Sequence, residues 1–335
     1  MAETLLARLG EIAVKTESTK GTKNLPAVDG SESKFRAFDM QFTLEPRLFN
    51  RRTQRASLSR YPHLVGQTIG QLTFSTELRK NAVTGTEEAW GQLMRACGFA
   101  WASGTGVYSL TSDRSAHLNL TMLAWLGSNG ASAGSVRVGL RGCAGSCKIR
   151  SRIGEPTMID WTFMGSHDSG DSDLQAQADS LNTITHETAI PGISHGVSLS
   201  WDSYSAICDA IEIDLGQTVS EISSVSATNG VRSFAVTDWD PKITIDPEIP
   251  AVGDYNWISK LCAGTEVAVS YTVTQPATSS PSVNSRTFAF AAPKVQVESL
   301  TIGERNGIKT FGIVGALNGS ANAGDDEFTL TATGS

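Results

Sequence analysis

Trp161-Thr-Phe-Met-Gly165 and Phe311-Gly-Ile-Val-Gly315 share one pattern, an aromatic residue followed four positions later by a glycine. The first stretch follows Lys148-Ile-Arg-Ser-Arg-Ile-Gly-Glu155, and the second follows Val295-Gln-Val-Glu-Ser-Leu-Thr-Ile-Gly-Glu304. Each therefore comes after an Ile-Gly-Glu sequence, and the alternation of apolar with polar residues is typical of β-strands. Because this arrangement occurs once in each half of the chain, we predict an internal duplication.

Two further pairs of segments agree with a duplication, in the same order along the chain. Residues 72–77 correspond to residues 243–248, and both precede a helical pattern. The first helix is predicted over residues 86–98, with Thr86 as its cap, and the second lies around residues 257–262. The apolar face of these helices supplies candidate core anchors, namely Trp90, Leu93, Cys97, Trp257 and Leu261. A chance resemblance between similar β units is the alternative to duplication.

These patterns predict a mainly β protein with two tandem domains of the β-sandwich or half-barrel type, each with one short helix. Residues 1–33 are expected to form an N-terminal helix and arm, because Leu5, Leu6, Leu9 and Ile12 have helical spacing. The first β domain is predicted over residues 34–167 and the second over residues 191–335. Residues 168–190 are polar and lack periodicity, so a linker is expected there.

The composition excludes several classes of protein. The chain has 335 residues, of which 40% are hydrophobic and 18% are charged. No run of about 18 apolar residues is present, so we expect no membrane span. The N-terminus lacks the apolar stretch of a signal peptide. The five cysteines are therefore expected to be reduced thiols in a protein made in the cytoplasm.

Charge is unevenly distributed between the two halves. Residues 1–167 contain 20 Lys and Arg against 13 Asp and Glu, a net charge of +7, whereas residues 168–335 contain 7 against 21, a net charge of −14. A basic half is expected to bind either nucleic acid or the acidic half of another copy. The predicted loop between the first two long strands is the most basic segment, with Arg47, Arg51, Arg52, Arg55 and Arg60. Its position in a hairpin-like excursion favours a subunit contact over nucleic-acid binding.

Candidate catalytic and metal motifs are incomplete. Gly192-Ile-Ser-His-Gly196 fits the nucleophile-elbow pattern, but His195 is the last histidine of the chain, so the hydrolase order Ser, Asp, His is impossible. Cys143 and Cys147 have no second cysteine pair at the spacing of a structural zinc site. We therefore expect no enzyme activity, no cofactor and no bound metal.

Three segments in the first half together resemble the tail tube (major tail) proteins of long-tailed bacteriophages. They are Phe42-Thr-Leu-Glu-Pro46, Gly70-Gln-Leu-Thr-Phe-Ser-Thr-Glu-Leu-Arg79 and Trp90-Gly-Gln-Leu-Met-Arg-Ala-Cys-Gly-Phe99. The resemblance is clear over residues 1–165 and weaker over residues 190–335. It implies a small β-sandwich or half-barrel with one flanking helix, which forms six-fold rings that stack into a hollow tube for DNA. The family has no catalytic residues to transfer.

The resemblance also implies partners. In the family the long loop between early strands contacts the next ring, and here that loop corresponds to residues 46–66. With a duplication, three chains would form a ring of pseudo-six-fold symmetry, whereas the alternative is a hexameric ring decorated by residues 190–335. The expected partners are other copies of this chain, stacked rings, a tape-measure protein, a tail terminator and transiently passing DNA. Assembly in the host cytoplasm would place the protein in the virion tail.

Two other functions remain open. A tail terminator or connector would share the fold but form a single ring. A β-sandwich adhesin or other binding module would act as a monomer and would expose an aromatic cluster. For a tube, we expect the lumen-facing strands to carry mainly acidic or neutral side chains, because a basic wall would retain DNA through its phosphates.

Overall fold

The computed structural model of the chain describes residues 10–26, 37–52, 54, 56–57, 59–79, 87–126, 135–168, 170–179, 191–194, 198–275, 278–279, 282–283, 285–320 and 324–334. Within these ranges the chain forms two short helices and many antiparallel strands. The prediction of a mainly β protein is therefore confirmed.

Elements of the first half run from β1 to β9. Their bounds are β1 Gly10–Thr16, β2 Phe38–Phe49, β3 Leu64–Glu77, α1 Gly91–Ala96, β4 Phe99–Ala102, β5 Val107–Leu110, β6 Leu120–Leu126, β7 Ser135–Arg152, β8 Met158–Ser166 and β9 Gln175–Asp179.

Elements of the second half run from β10 to β21. Their bounds are β10 Ser198–Trp201, β11 Tyr204–Ser205, β12 Ala210–Asp214, β13 Thr218–Ser223, β14 Val231–Asp238, β15 Lys242–Ile245, α2 Trp257–Ala263, β16 Glu266–Gln275, β17 Thr278–Ser279, β18 Ser282–Val283, β19 Arg286–Arg305, β20 Ile308–Asn318 and β21 Thr329–Thr333.

Eight antiparallel strands, four from each half, form one continuous sheet in the order β2-β3-β8-β7-β12-β15-β20-β19. We call it the joined sheet. The pairing of β7 with β12 connects the two halves, and it is the only step in the order between strands of different halves. In every strand of the joined sheet except β2, apolar side chains on one face are buried, which fixes the register because a slip of one residue would expose them.

A second layer covers the buried face. The first parts of the long strands β7 and β19 leave the joined sheet and pair with β6 and β16, respectively. The buried side chains between the layers form one cluster that draws on both halves. Trp90 at the start of α1, for example, has its ring centroid 6.5 Å from that of Phe288 in β19.

The two halves have the same pattern of strand pairing. In the first half the pairs are β2–β3, β3–β8, β8–β7, β7–β6, β6–β1 and β7–β9. In the second half the pairs are β12–β15, β15–β20, β20–β19, β19–β16, β16–β10 and β19–β21. In each half a helix lies in the connection that leaves β3 or β15.

The glycines of the two aromatic-to-glycine stretches occupy matching places. Gly165 lies beside a bulge in β7, and Gly315 lies beside a bulge in β19. A Cβ atom at Gly165 would stand 2.6 Å from the Sγ atom of Cys143, and one at Gly315 would stand 2.7 Å from Cγ1 of Val295. The neighbouring strand therefore approaches too closely at both places for any larger residue.

The two Ile-Gly-Glu sequences, residues 153–155 and 302–304, do not occupy equivalent positions in the two halves. Residues 153–155 form the turn between β7 and β8, where Gly154 has a φ of 76°. Residues 302–304 instead lie within β19 and pair with β20, and the corresponding turn is formed by Asn306 and Gly307. The shared tripeptide thus serves a turn in one half and a strand in the other.

The N-terminal helix is also contradicted where the structure describes it. Residues 10–16 form β1, which pairs with β6, and residues 1–9 lie outside the described residues. Ile12 and Val14 point into the large core, whereas Ala13 packs in a separate cluster with Trp125. Because both faces of this segment are buried, its apolar residues also fit a strand, and pairing with β6 decides between the two.

Two further boundaries differ from prediction. Helix α1 covers residues 91–96, whereas the prediction was 86–98. Glu87 and Glu88 lie in a non-helical segment before it, and Thr86 lies outside the described residues. The segment 168–190, predicted as a linker, contains β9, which pairs with β7. Lys23 holds the approach to β9 through ion pairs of 2.5 Å with Asp171 and 2.7 Å with Asp173.

Candidate assembly surfaces

The hairpin of β2 and β3 extends beyond the joined sheet. Strand β3 stops pairing with β8 at Ile69, but β2 and β3 continue to pair as far as Phe49 and Leu64. We call residues 46–66 the arm, and from here on this name does not refer to the N-terminal segment 1–33. Its large apolar side chains are exposed by 39–62%, namely Leu48, Phe49, Tyr61, Leu64 and Val65. Because Leu48 pairs with Val65 and Phe49 pairs with Leu64, exposed apolar pairs lie on both faces of the arm.

The predicted contact arginines lie on this arm. Arg51 donates a hydrogen bond of 3.2 Å to the carbonyl of Pro62, and Arg60 donates one of 2.8 Å to Oδ1 of Asn50. Arg52 is exposed, and Arg55 lies outside the described residues. Residues 46–66 contain five arginines and no aspartate or glutamate, so the arm is a projecting apolar surface with positive charge.

Arg47 differs from the other arginines because an acidic residue of the second half holds it. Its guanidinium lies 2.7 Å from Oε2 of Glu221, in β13. Strands β13 and β14 form a hairpin of residues 218–238, which we call the brace. The brace occupies the connection from β12 to β15, where the first half has the arm, but it folds back on its own chain. Asn229 at its tip lies against the base of the arm.

The brace was not predicted from the sequence, although a signal for it exists. Asn229-Gly230 is a strong turn signal, and Gly230 has a φ of 71°. The flanking residues of β13 and β14 alternate in the manner of a hairpin. Only the fold shows that this hairpin meets the arm, because Asn229 and Thr68 are 161 residues apart.

The face of the joined sheet that points away from the core carries paired charges. Lys148 lies 2.7 Å from Glu212 and 3.8 Å from Asp214, and its hydrogen bond to Glu212 raises its pKa. The Arg150 guanidinium binds the Asp160 carboxylate through two nitrogens, and this hydrogen bonding raises the arginine pKa. Asp160 in β8, Lys148 in β7 and Asp214 in β12 are direct neighbours across the three strands, so acidic and basic side chains alternate from strand to strand. The positive charges of this face are thereby largely neutralised by carboxylates.

The two edges of the joined sheet expose apolar residues whose counterparts are buried. Within the described residues, β2 pairs only with β3, and the C-terminal part of β19 pairs only with β20. Leu44 in β2 is 37% exposed, whereas Ile213, in the matching position of β12, is 4% exposed. Ile302 in β19 is 71% exposed, whereas Cys147, in the matching position of β7, is 3% exposed. The buried counterparts both lie where β7 meets β12.

The predicted helix anchors have structural positions. Trp90, Leu93, Cys97 and Trp257 are almost fully buried, and Leu261 packs at the margin of the same core. Trp90 donates a hydrogen bond of 2.6 Å from Nε1 to the carbonyl of Arg79. These side chains therefore fix each helix to the core and lie away from the exposed surfaces.

The motifs considered for catalysis and metal binding do not form a site in the described parts of the chain. Ser194 is buried and lies 3.1 Å from the hydroxyl of Thr157, while residues 195–197 are outside the described residues. No group of three or more histidine, cysteine, aspartate or glutamate side chains among the described residues has a geometry that could hold a metal. Cys143 and Cys147 are unbridged and buried.

Neither α1 nor α2 has the length and apolar character needed to cross a membrane. A scan against protein-family models found no match for this chain, and a search of curated proteins found none either.

Proposed function

We propose that this chain is a structural virion protein that polymerises into stacked rings, and that these rings form the tail tube through which phage DNA passes. The observation that carries the proposal is the contrast between the buried junction of β7 with β12 and the exposed matching edges, β2 and β19. The resemblance of residues 42–99 to tail tube proteins supplies the kind of assembly that would cover those edges.

The repeated strand pairing supports two tandem modules of the tail-tube type in one chain. Each module contributes four strands to the joined sheet, and the modules meet head to tail where β7 pairs with β12. A repeat of this contact between chains would pair β19 of one copy with β2 of the next. Contacts between unlike surfaces close into rings when the rotation allows it. Three chains would then supply six modules, which gives a trimer of pseudo-six-fold symmetry.

Burial at the internal junction indicates what the contact between chains would gain. Ile213 and Cys147 are buried at the internal junction, where the amide of Cys147 donates a hydrogen bond to Gln217 of the second half, whereas Leu44 and Ile302 lie on edges that no further strand covers within the described residues. Complete burial of a large aliphatic side chain contributes about 1.5–3 kcal/mol, and covering the exposed part of Leu44 or Ile302 would contribute a fraction of this. The unpaired backbone groups of two edge strands would become hydrogen-bonded in the same step. Ring closure therefore satisfies both the apolar and the polar groups of the edges.

The charged face of the joined sheet suits the lumen of a tube. Lys148 and Arg150 have carboxylate partners, so few unpaired cations would be available for DNA phosphates. Tight binding of DNA requires cations that replace its counterions. A lumen lined by balanced ion pairs would let DNA pass without retention.

Electron microscopy of the purified chain under assembly conditions tests this function. We expect three-fold rings with six similar modules, and stacks of these rings in hollow tubes. A chain that remains monomeric at all concentrations would overturn the proposal. The number of copies in each virion separates a tube protein, which needs many rings, from a terminator or connector, which needs one. A monomer that binds a ligand through exposed aromatic residues would instead indicate an adhesin.

A further inference from the structure

The end of the joined sheet opposite the arm has its own exposed apolar surface. Strand β3 pairs with β8 from Ile69 at the arm end to Glu77 at the other end, where Met158 begins β8. The turn that connects β7 to β8 therefore lies at the end away from the arm. The turn from β19 to β20 lies at the same end, because β20 runs alongside β15 in the same sheet.

Four isoleucines form a row along this end, and we call them the isoleucine row. Ile153 is 60% exposed, Ile207 61%, Ile249 37% and Ile308 48%. Backbone hydrogen bonds connect their segments in sequence. The amide of Ile153 donates to Asp209, that of Glu248 to Ile207, and that of Ile249 to Lys309. These hydrogen bonds place the four exposed isoleucines on neighbouring segments, and grouped exposed apolar residues mark a candidate interaction site.

Carboxylates surround the isoleucine row and outnumber the basic groups there. Arg305 forms ion pairs with Asp246 at 2.6 Å and with Glu248 at 3.4 Å, so one positive charge is shared by two carboxylates. The acidic residues at this end are Glu155, Asp209, Asp246, Glu248 and Glu304, and the basic residues are Arg152, Arg305 and Lys309. These exposed isoleucines with an acidic border are therefore complementary to the arm, which has exposed apolar pairs and, besides the ion-paired Arg47, four arginines.

We propose that the isoleucine row is the surface on which the arm of a second copy, in the next ring, docks. This inference rests on the proposed tube function and adds the acceptor for the arm. The arm and the row lie at opposite ends of one sheet, so a contact between them cannot be mutual between two copies. It leaves the arms of one terminal ring and the rows of the other terminal ring unused, and contacts of this kind continue into open filaments.

A mixing experiment tests the polarity of this contact. An arm variant, Phe49→Asp, and a row variant, Ile153→Asp with Ile308→Asp, are purified separately, and Ile258→Asp on α2 serves as the control because that side chain is 55% exposed and lies outside both surfaces. We expect each arm or row variant to form single rings without tubes, while the control forms tubes as the native chain does. Mixing the two defective variants should give pairs of stacked rings, because intact rows of one then receive intact arms of the other.

Several outcomes would overturn the acceptor while leaving the tube function intact. Normal tubes from the row variant would show that the row is not part of the stacking contact. A mixture that contains only single rings would show that the arm docks elsewhere. Absence of rings from the native chain would instead overturn the tube function itself. A charge variant that does not alter the apolar strip, Glu155→Lys with Glu304→Lys, should also reduce stacking, and normal circular dichroism and melting curves of all variants would confirm that they fold.

Discussion

Asn229 and Thr68 form two hydrogen bonds with each other across 161 residues of chain. The Asn229 side chain accepts a hydrogen bond of 3.1 Å from the Thr68 amide and donates one of 2.8 Å to the Thr68 carbonyl. The side-chain nitrogen Nδ2 of Asn229 also lies 2.9 Å from the Ser166 hydroxyl and 2.8 Å from the carbonyl of His167. The brace, in the second half of the chain, thus completes the hydrogen bonding of the first half at the point where the arm leaves the sheet.

Removal of this contact should loosen the arm at its base. We expect Asn229→Ala to lower the free energy of unfolding by about 1–3 kcal/mol, because the Thr68 amide and the carbonyl of the buried His167 lose their side-chain partner, while the Thr68 carbonyl keeps its hydrogen bond from the His167 amide. Denaturant unfolding followed by fluorescence measures the change. Ser226→Ala, which removes only an exposed hydroxyl contact with Ser224, is the control and should change stability little. Equal stability of the two variants would contradict this account of the brace.

The matched positions Leu44 and Ile213 should respond differently to the same substitution. Ile213→Asp places a charge in the core and should lower the free energy of unfolding by more than about 4 kcal/mol. Leu44→Asp should leave a folded monomer but should prevent ring closure, because the edge of β2 would then present a charge to its neighbour. Thermal unfolding together with light scattering measures both effects. Rings formed normally by the Leu44→Asp chain would show that this edge is not in the contact.

Charge on the arm should affect stacking in a salt-dependent way. Arg51→Glu with Arg52→Glu should weaken association of rings, by about 0.2–1 kcal/mol for each ion pair lost. The effect should be larger at about 0.01 M salt than at about 0.15 M, because the Debye length decreases from about 30 Å to about 8 Å. Sedimentation of assembled tubes across this range gives the comparison. If both charge reversals left sedimentation unchanged at low salt, these arginines would lie outside the contact.

The five thiols should differ strongly in reactivity. Burial raises the pKa of Cys97 and of Cys143 well above the ordinary value, and burial raises the pKa of Cys208 to about 12. Cys262 in α2 is exposed. With a disulfide reagent near pH 8 we expect one rapid thiol in each native chain and five after unfolding, since the thiolate is the reacting form. Cys262→Ser should remove the rapid phase, and a second thiol of equal rate would contradict the packing described for the core.

Glu17 should make stability depend on pH. Its buried carboxylate accepts hydrogen bonds from the amides of Gly21 and Gly142 and from the Thr121 hydroxyl, yet burial outweighs these bonds and raises its pKa. The folded state therefore binds a proton in a pH range where the unfolded state has lost it. The stabilisation that this proton gives is complete below the unfolded pKa and is lost as pH rises through the folded pKa.

A comparison with Glu17→Gln isolates this effect, because glutamine does not titrate. Relative to that variant, the native chain should lose unfolding free energy as the pH is raised from about 4 to about 7. Denaturant unfolding at several pH values gives the two curves. Parallel curves would mean that Glu17 has the same pKa in the folded and unfolded states.

Much of the strand content was predictable from residue alternation, but alternation alone misplaced two segments. The predicted N-terminal helix rested on the spacing of Leu5, Leu6, Leu9 and Ile12, of which Ile12 alone lies in the described residues, where it belongs to β1. The Ile-Gly-Glu tripeptides suggested matching strands, although only the second one lies in a strand. In both cases a short pattern was compatible with two structures, and pairing with a distant strand decided between them.

Residue type and local spacing were enough to indicate that the chain is rich in strands, that Gly165 and Gly315 mark matching places, and that the arm is basic. The tertiary structure alone decided which strands are neighbours. A period of two residues fixes the face on which a side chain lies, but it does not fix which strand lies beside it. Leu44 and Ile213 are similar in chemistry, and only the pairing of β7 with β12 buries one of them while the other remains exposed.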